Sequence, residues 1–345
     1  MSSSRSNTFK YIIKRLLLAV LVLLVVSLVL YFLVRLMPVS YFEDKYREPL
    51  NQGQIKPEEY ARIMELLGFK VDSTGAVIND FPTLIAGYFN WLWNFIRGDM
   101  GVSFTMDMPV GEAISSTMGI SFIISLVSLI LQMIIAIPLG IKCAVNQYGK
   151  FDYTVTVICM VCMAFPSFFF GNILIKWLSV DLGWFPVGGL TGSLPVDASA
   201  WDRFIDVMHH LALPMIVLVV LSVGGLMRYT RTNTLEVLNA DYIRTARAKG
   251  LSERTVIYKH VFRNTLIPLV TQLAFTLPGL FGGAMITETV FDIPGIGQVA
   301  YNALKQGDIP FVMGYNMFIA ILTVLGILLA DLAYALVDPR VKLGG

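Results

Sequence analysis

The sequence predicts an all-α, polytopic membrane protein of six transmembrane helices, with both termini in the cytoplasm. Three observations carry this prediction. Of the 345 residues 56% are hydrophobic and only 14% charged, against roughly 25% charged in a soluble domain. Apolar runs long enough to cross a bilayer, which takes about 20 helical residues, recur along the chain. Finally, Lys and Arg crowd into alternate connections between those runs, the asymmetry that orients a membrane protein.

The first run, Leu16 to Val34, follows Lys14-Arg15 and is too long for the apolar region of a cleaved signal peptide. It reads as a retained helix. Further spans are expected near 119–141, 153–178, 211–227, 264–287 and 313–336. Arg5, Lys10, Lys14 and Arg15 precede the first span, Lys142 and Lys150 lie between the second and third, and Arg340 and Lys342 follow the sixth. Eight Lys or Arg fall between Arg228 and Arg263 against Glu236, Asp241 and Glu253. The short opposite loops hold Arg203 and Lys305 beyond the boundary residue Lys176. Asn146 and Ser252 are therefore expected on the cytoplasmic side, and Ser73 and Asp308 on the outer, accessible side. Long loops translocate largely regardless of charge, which accommodates the basic residues of 38–115.

The implied organisation is a cytoplasmic N-terminus and first span (1–37), an outer segment (38–117), a core of five spans (118–338) and a short cytoplasmic tail (339–345). Within the outer segment "PEEYARIMELLGF" opens with proline and acids and carries Ile63, Leu66 and Leu67 at helical spacing, predicting a short amphipathic helix. "DSTGAVINDFP" is turn-rich and predicts a surface loop. "LIAGYFNWLWNFIRGDMG" is too short before Arg97 to cross. Its Trp91, Trp93 and Phe95 predict a helix lying at the membrane–water boundary. In the last outer loop Val299, Ala300, Ala303 and Leu304 predict a short helix dipping back toward the outer mouth.

Several function classes are disfavoured. The spans contain Ser128, Gln132 and Gln272 but no acid at mid-span, with Glu288 and Asp331 near opposite ends. An ion-driven carrier ordinarily needs intramembrane ionisable groups. No G-x-x-x-x-G-K-[ST] phosphate loop occurs, so the chain is not expected to bind nucleotide that way. Cys143, Cys159 and Cys162 suggest no disulfide framework. Cys159-Met-Val-Cys162 lacks a second ligand pair, and adjacent His209-His210 do not share a helix face, so no metal site is expected. The net basic character is local to one loop, and no nucleic-acid partner is expected either.

That loop, "ADYIRTARAKGLSERTVIYKH", carries the functional signal. Leu235 to Lys249 reads as one helix, ended by Gly250, the residue best suited to the left-handed conformation past a helix end. Ser252 can cap a second helix with Glu253 in its first turn. Arg244 and Arg247 lie one turn apart. By charge pattern alone, a solvated loop touching anionic lipid and a protein-docking element stay equally open.

The letters resemble a known family. "DYIRTARAKGLSERTVIYKHVFRNTLIPLVT" is similar to the cytoplasmic coupling loop of permease subunits in ABC importers, in the dipeptide/oligopeptide (and nickel) branch, and "MRYTRTNTLEVLNADYIRTARAKGL" extends the resemblance upstream. "IIAIPLGIKCAVNQYGKFD", "FPSFFFGNILIKW", "LGWFPVGG", "HHLALP", "ETVFDIPGIGQVAYNAL" and "DPRVKLGG" follow in the family's order, and the resemblance covers 9–40 and 98–345. It implies the type I importer permease fold and no enzymatic activity in this chain. The implied assembly in a bacterial cytoplasmic membrane has a second, similar permease subunit and two ATPase subunits that carry ATP and magnesium. An extracytoplasmic binding lipoprotein would deliver peptide. Asp241, Tyr242, Arg244, Thr245, Ala246, Arg247, Lys249, Gly250, Leu251 and Ser252 would form the ATPase-coupling loop, and Glu288, Phe291, Pro294, Gly295 and Gly297 the outer mouth or gate. One departure stands out: the wider family's Glu-Ala-Ala triplet reads Arg244-Thr245-Ala246, so a salt bridge assigned to that glutamate does not carry over. The segment 68–90 is also longer than expected of the branch. A nickel or other small-solute permease, and a stand-alone channel or ion-coupled carrier with a lipid-binding loop, are the competing readings.

Overall fold

The computed structural model describes residues 2–36, 46, 48–66, 70–71, 77–78 and 81–337. The chain folds into helices α1 (Ser2–Leu36), α2 (Pro57–Leu66), α3 (Phe81–Ile96), α4 (Val110–Val145), α5 (Lys150–Ala164) and α6 (Ser167–Leu174), the last continued by a π-helical segment, Ile175–Asp181. After these come α7 (Ala200–Leu238), α8 (Asp241–Ala248), the single turn α9 (Glu253–Thr255), a second π-helical segment (Val256–Val261), α10 (Phe262–Gly282), α11 (Met285–Val290), α12 (Ile296–Gln306) and α13 (Ile309–Val337). Among the described residues two short antiparallel strand pairs interrupt the helices, β1–β2 (Lys70–Val71 with Val77–Ile78) and β3–β4 (Val102–Ser103 with Met108–Pro109). Most of "DSTGAVINDFP", Ser73 included, lies outside the described residues, as do Leu67, Pro38 and the tail from 338.

Among the described residues four helices are long and apolar enough to cross a membrane, within Ile13–Leu33, Val110–Val145, Ala200–Leu238 and Ile309–Leu328. The remaining two expected spans are bent pairs. The run expected as one helix over 153–178 turns by 97° between Ala164 and Ser167. The reason is local: Phe165 and Pro166 are extended, with ψ of 130° and 137°, because a residue preceding proline is pushed out of the helical region and proline itself has no N–H to give. The second pair, Glu253–Val270 and Phe275–Val290, is bent by 55°. Six candidate spans result if each pair counts as one.

The chain divides into two compact units, residues 1–117 with 299–345, and residues 118–298. In the first, α1 packs along α13, and a cluster of Tyr31, Tyr60, Met64, Tyr88, Ile309 and Met313 ties α1, α2, α3 and α13 together. The expected amphipathic α2 contributes Tyr60 and Met64, one turn apart, with Ile63 at their flank. Asp308, expected to be accessible, is fully buried. Its Oδ2 accepts from the Ser103 hydroxyl at 2.6 Å, the Thr105 N–H at 3.0 Å and the Thr105 hydroxyl at 2.8 Å, and its Oδ1 caps α13 by accepting from the Phe311 N–H. Of the apolar residues expected to pack from α12, Ala300 and Ala303 are buried but Leu304 points outward.

In the second unit, α7 is the central strut. An added Cβ at Gly140 of α4 would sit 2.6 Å from the Met227 carbonyl oxygen, and one at Gly224 of α7 would sit 2.9 Å from the Cys159 carbonyl oxygen. Glycine thus lets both α4 and α5 approach the α7 backbone, the device that holds helices together where lipid offers no hydrophobic contrast. Cys143 and Cys159 are buried in this packing as small apolar groups. Gln132 donates to the Ser222 carbonyl at 2.9 Å, adding a polar link between α4 and α7.

Candidate functional site: the charged helix pair and the Glu288 knot

The charged loop departs from the single helix expected of it. Leu235 to Lys249 is not one helix: α7 stops at Leu238, Ala240 is extended (φ −70°, ψ 146°), and α8 starts afresh at Asp241. Helix α8 buries Ile243 and Ala246 against Val256 and Val261, with Val237 and Leu238 alongside. Ala246 therefore belongs to the inner face. Asp241, Tyr242, Arg244, Thr245, Arg247, Lys249, Leu251 and Ser252 are exposed, so α8 is a two-faced helix with its basic face outward.

Gly250 ends α8 at φ +78°, as its sequence position predicts. The Leu251 N–H reaches the Ala246 carbonyl and the Gly250 N–H reaches the Arg247 carbonyl, the paired bonds of a Schellman stop. Ser252 then caps α9 by accepting from the Thr255 N–H. Across this turn Arg247 grips Glu253 with two bonds, Nε to Oε1 at 2.7 Å and Nη2 to Oε2 at 3.3 Å. Helix, glycine and second helix are thus latched in one shape. Arg244 meets Asp241 only at 3.7 Å, with both side chains largely exposed; such a pair contributes little.

A second charged feature joins α5 to α7. Arg231 of α7 binds Asp152 of α5 bidentately, Nε to Oδ1 and Nη2 to Oδ2 both at 2.7 Å. Asp152 is 3% exposed and also accepts from the Tyr148 N–H. Both residues lie inside motifs that carry the family resemblance, but nothing in either motif announces the other, 79 positions away.

The residues expected at the outer mouth form a buried knot. Glu288 is 1% exposed; its Oε1 accepts from the Ala284 N–H at 2.9 Å and its Oε2 from the Gln298 N–H, in the first turn of α12, at 3.0 Å. The Ser121 hydroxyl accepts from the Ile296 N–H. Three glycines make room for this carboxylate. An added Cβ at Gly297 would lie 2.8 Å from Oε2, one at Gly283 2.8 Å from Oε1, and one at Gly295 would run into the Ser121 hydroxyl. Phe291 is buried among Ile124, Leu211, Leu213, Val217 and Ile293, and its carbonyl accepts from the Gly189 N–H. Pro294 alone of the five expected residues is exposed.

Of the two histidines, His209 ties a loop to its helix and His210 bonds within the helix. His209 Nε2 donates to the Trp184 carbonyl at 2.7 Å and His210 Nδ1 to the Asp206 carbonyl at 2.9 Å, while Asp206 accepts from the Gly192 N–H. The "LGWFPVGG" loop is so held to the start of α7. Among the described residues no group of three or more His, Cys, Asp or Glu could hold a metal.

Candidate spans broken at defined points, helices packed through glycine, and an exposed helix pair together define the class: a helical, polytopic membrane protein. The chain belongs to the family of binding-protein-dependent transport system inner membrane components, which matches residues 136–343. It is 43% identical over 256 residues to the oligopeptide transport system permease protein AppB of Bacillus subtilis (strain 168), covering 74% of this chain and 79% of that protein. To the dipeptide transport system permease protein DppB of Escherichia coli (strain K12) it is 32% identical over 349 residues, covering 96% of this chain and 98% of that one. A putative peptide transport system permease protein of Brucella abortus (strain 2308) is 32% identical over 331 residues, at 96% and 98% coverage. The chain is a permease component of the inner membrane.

Proposed function

We propose that this permease moves peptides inward as one subunit of an ATP-driven importer. Its partners are a second permease of similar fold, two cytoplasmic ATPase subunits that hold ATP and magnesium, and an extracytoplasmic peptide-binding lipoprotein. Helix α8 seats its exposed basic face in the ATPase, and closure of the ATPase pair moves the latched turn, from which α7 and α10 lead into the spans. The permease then alternates between outward- and inward-open states, each favoured by a different partner. Glu288 and its glycines hold the α11–α12 turn at the outer end of the pathway.

The observation that carries this reading is the shape at Gly250: a Schellman stop, bridged by Arg247 and Glu253, gives an exposed helix a defined turn. A loop that only contacts lipid needs no fixed shape. The test is Gly250→Val in the reconstituted complex, since a β-branched residue resists positive φ. Peptide uptake should fall at least tenfold while the permease still inserts, with ATP hydrolysis uncoupled or the ATPase lost on purification. Coupled uptake at the wild-type rate would refute the coupling role. Peptide uptake by the wild-type permease without any ATPase would refute the class of mechanism.

A further inference from the structure

Helix α3 presents three faces. Tyr88 and Trp91 turn inward, where Tyr88 shares a 2.9 Å hydrogen bond with Ser27 and packs edge-on against Tyr31 of α1. Asn90 and Asn94 line a cavity with Arg62 and Asp99. The third face is apolar and uncovered: Phe81 is 69%, Phe89 61%, Trp93 54% and Ile96 66% exposed. At 100° per residue these four fall within a sector of about 120°. The paired tryptophans therefore divide, Trp91 to the protein and Trp93 outward.

We infer that this face lies in the boundary between lipid head groups and acyl chains, with α3 parallel to the membrane surface. Depth is the first argument. Ser27 and Tyr31, which receive Tyr88, lie near the end of the apolar window Ile13–Leu33, about 9 Å and 3 Å from Leu33 along the helix. The α1 surface at that level is itself apolar and open, with Leu24, Val25, Leu28 and Val29 exposed, so the α3 face continues a lipid-facing surface. Length is the second: α3 has 16 residues, about 24 Å against the roughly 30 Å of a hydrocarbon core. Charge is the third. The Arg97 guanidinium lies 4.5 Å over the Trp93 ring, placing a cation at the rim of the apolar face where phosphate oxygens sit, while Trp93 supplies the amphipathic ring favoured at that depth.

The test places nitroxide labels on Phe89→Cys, Trp93→Cys and, for comparison, Asn90→Cys, in the full-length permease with its native cysteines replaced by alanine. In phosphatidylcholine–phosphatidylglycerol vesicles, the collision ratio of oxygen to a water-soluble nickel chelate should be several-fold higher at 89 and 93 than at 90. Equal ratios would overturn the inference. So would shielding of 89 and 93 from both reagents, which would mean that another protein covers the face. The unsubstituted chain gives an independent reading with a photoactivatable phospholipid: adducts should map to Phe89, Trp93 and Ile96. Adducts on α1 with none on α3 would overturn it.

Discussion

The turn at Gly250 and the knot around Glu288 both depend on glycine, but for opposite reasons. At Gly250 an added Cβ would meet nothing within 4 Å, and the constraint is the backbone φ of +78°. At Gly295 and Gly297 the backbone has no positive φ, and the constraint is space already filled by Ser121, Met285 and Glu288. Gly250 is chosen for a conformation, Gly295 and Gly297 for a volume, and Gly283, at φ +73° with its Cβ position 2.8 Å from Glu288 Oε1, for both. The first kind shapes an exposed surface; the second kind allows a carboxylate to be buried against backbone N–H groups that satisfy it.

Substitutions can separate the two. Glu288→Ala should have the largest effect on stability, because it orphans the Ala284 and Gln298 N–H groups and leaves a void. Each unsatisfied donor costs about 1–3 kcal/mol, so the variant should accumulate poorly and melt well below wild type in detergent. Gly295→Ala follows: one methyl where no space exists costs about 1–3 kcal/mol, read as a lower melting temperature with little restoration by partner subunits. At Gly250 the order of readouts reverses. Gly250→Ala places an L-residue at positive φ, at about 1–2 kcal/mol, so melting should change slightly while coupled transport drops more. Smallest of all is Arg244→Glu. Its pair with Asp241 is long and exposed, so melting should not change measurably, and any loss should appear only in ATPase association at raised salt. A Gly250→Ala permease that unfolds, or a Gly295→Ala permease that melts like wild type, would erase the distinction.

The same division separates what was legible in the chain from what was not. The Gly250 stop, the Ser252 cap and the amphipathic α2 could be anticipated because each is specified within a few residues. The split of Leu235–Lys249 into two helices was missed because neither Asn239 nor Ala240 is a strong breaker; the turn there is set by Ile243 and Ala246 seeking Val256 and Val261. The bend at Phe165–Pro166 had its signal in Pro166, overridden by the apolar run around it. Asp308 looked like a loop acid on the outer side, yet it is buried because the β3–β4 hairpin supplies its partners from 205 positions away.

The sequence by itself determined the membrane class, the order of the spans, the charged loop and the family, since apolar run length, loop charge and local turn chemistry are all short-range quantities. Tertiary structure alone decided that Asp152 pairs with Arg231, that Glu288 is buried among three glycines, and that Trp91 and Trp93 face opposite surroundings. Those outcomes depend on which helix faces meet. A carboxylate or an indole carries no local mark of its future neighbour; burial selects the partner only once the backbone has brought distant segments within hydrogen-bonding reach.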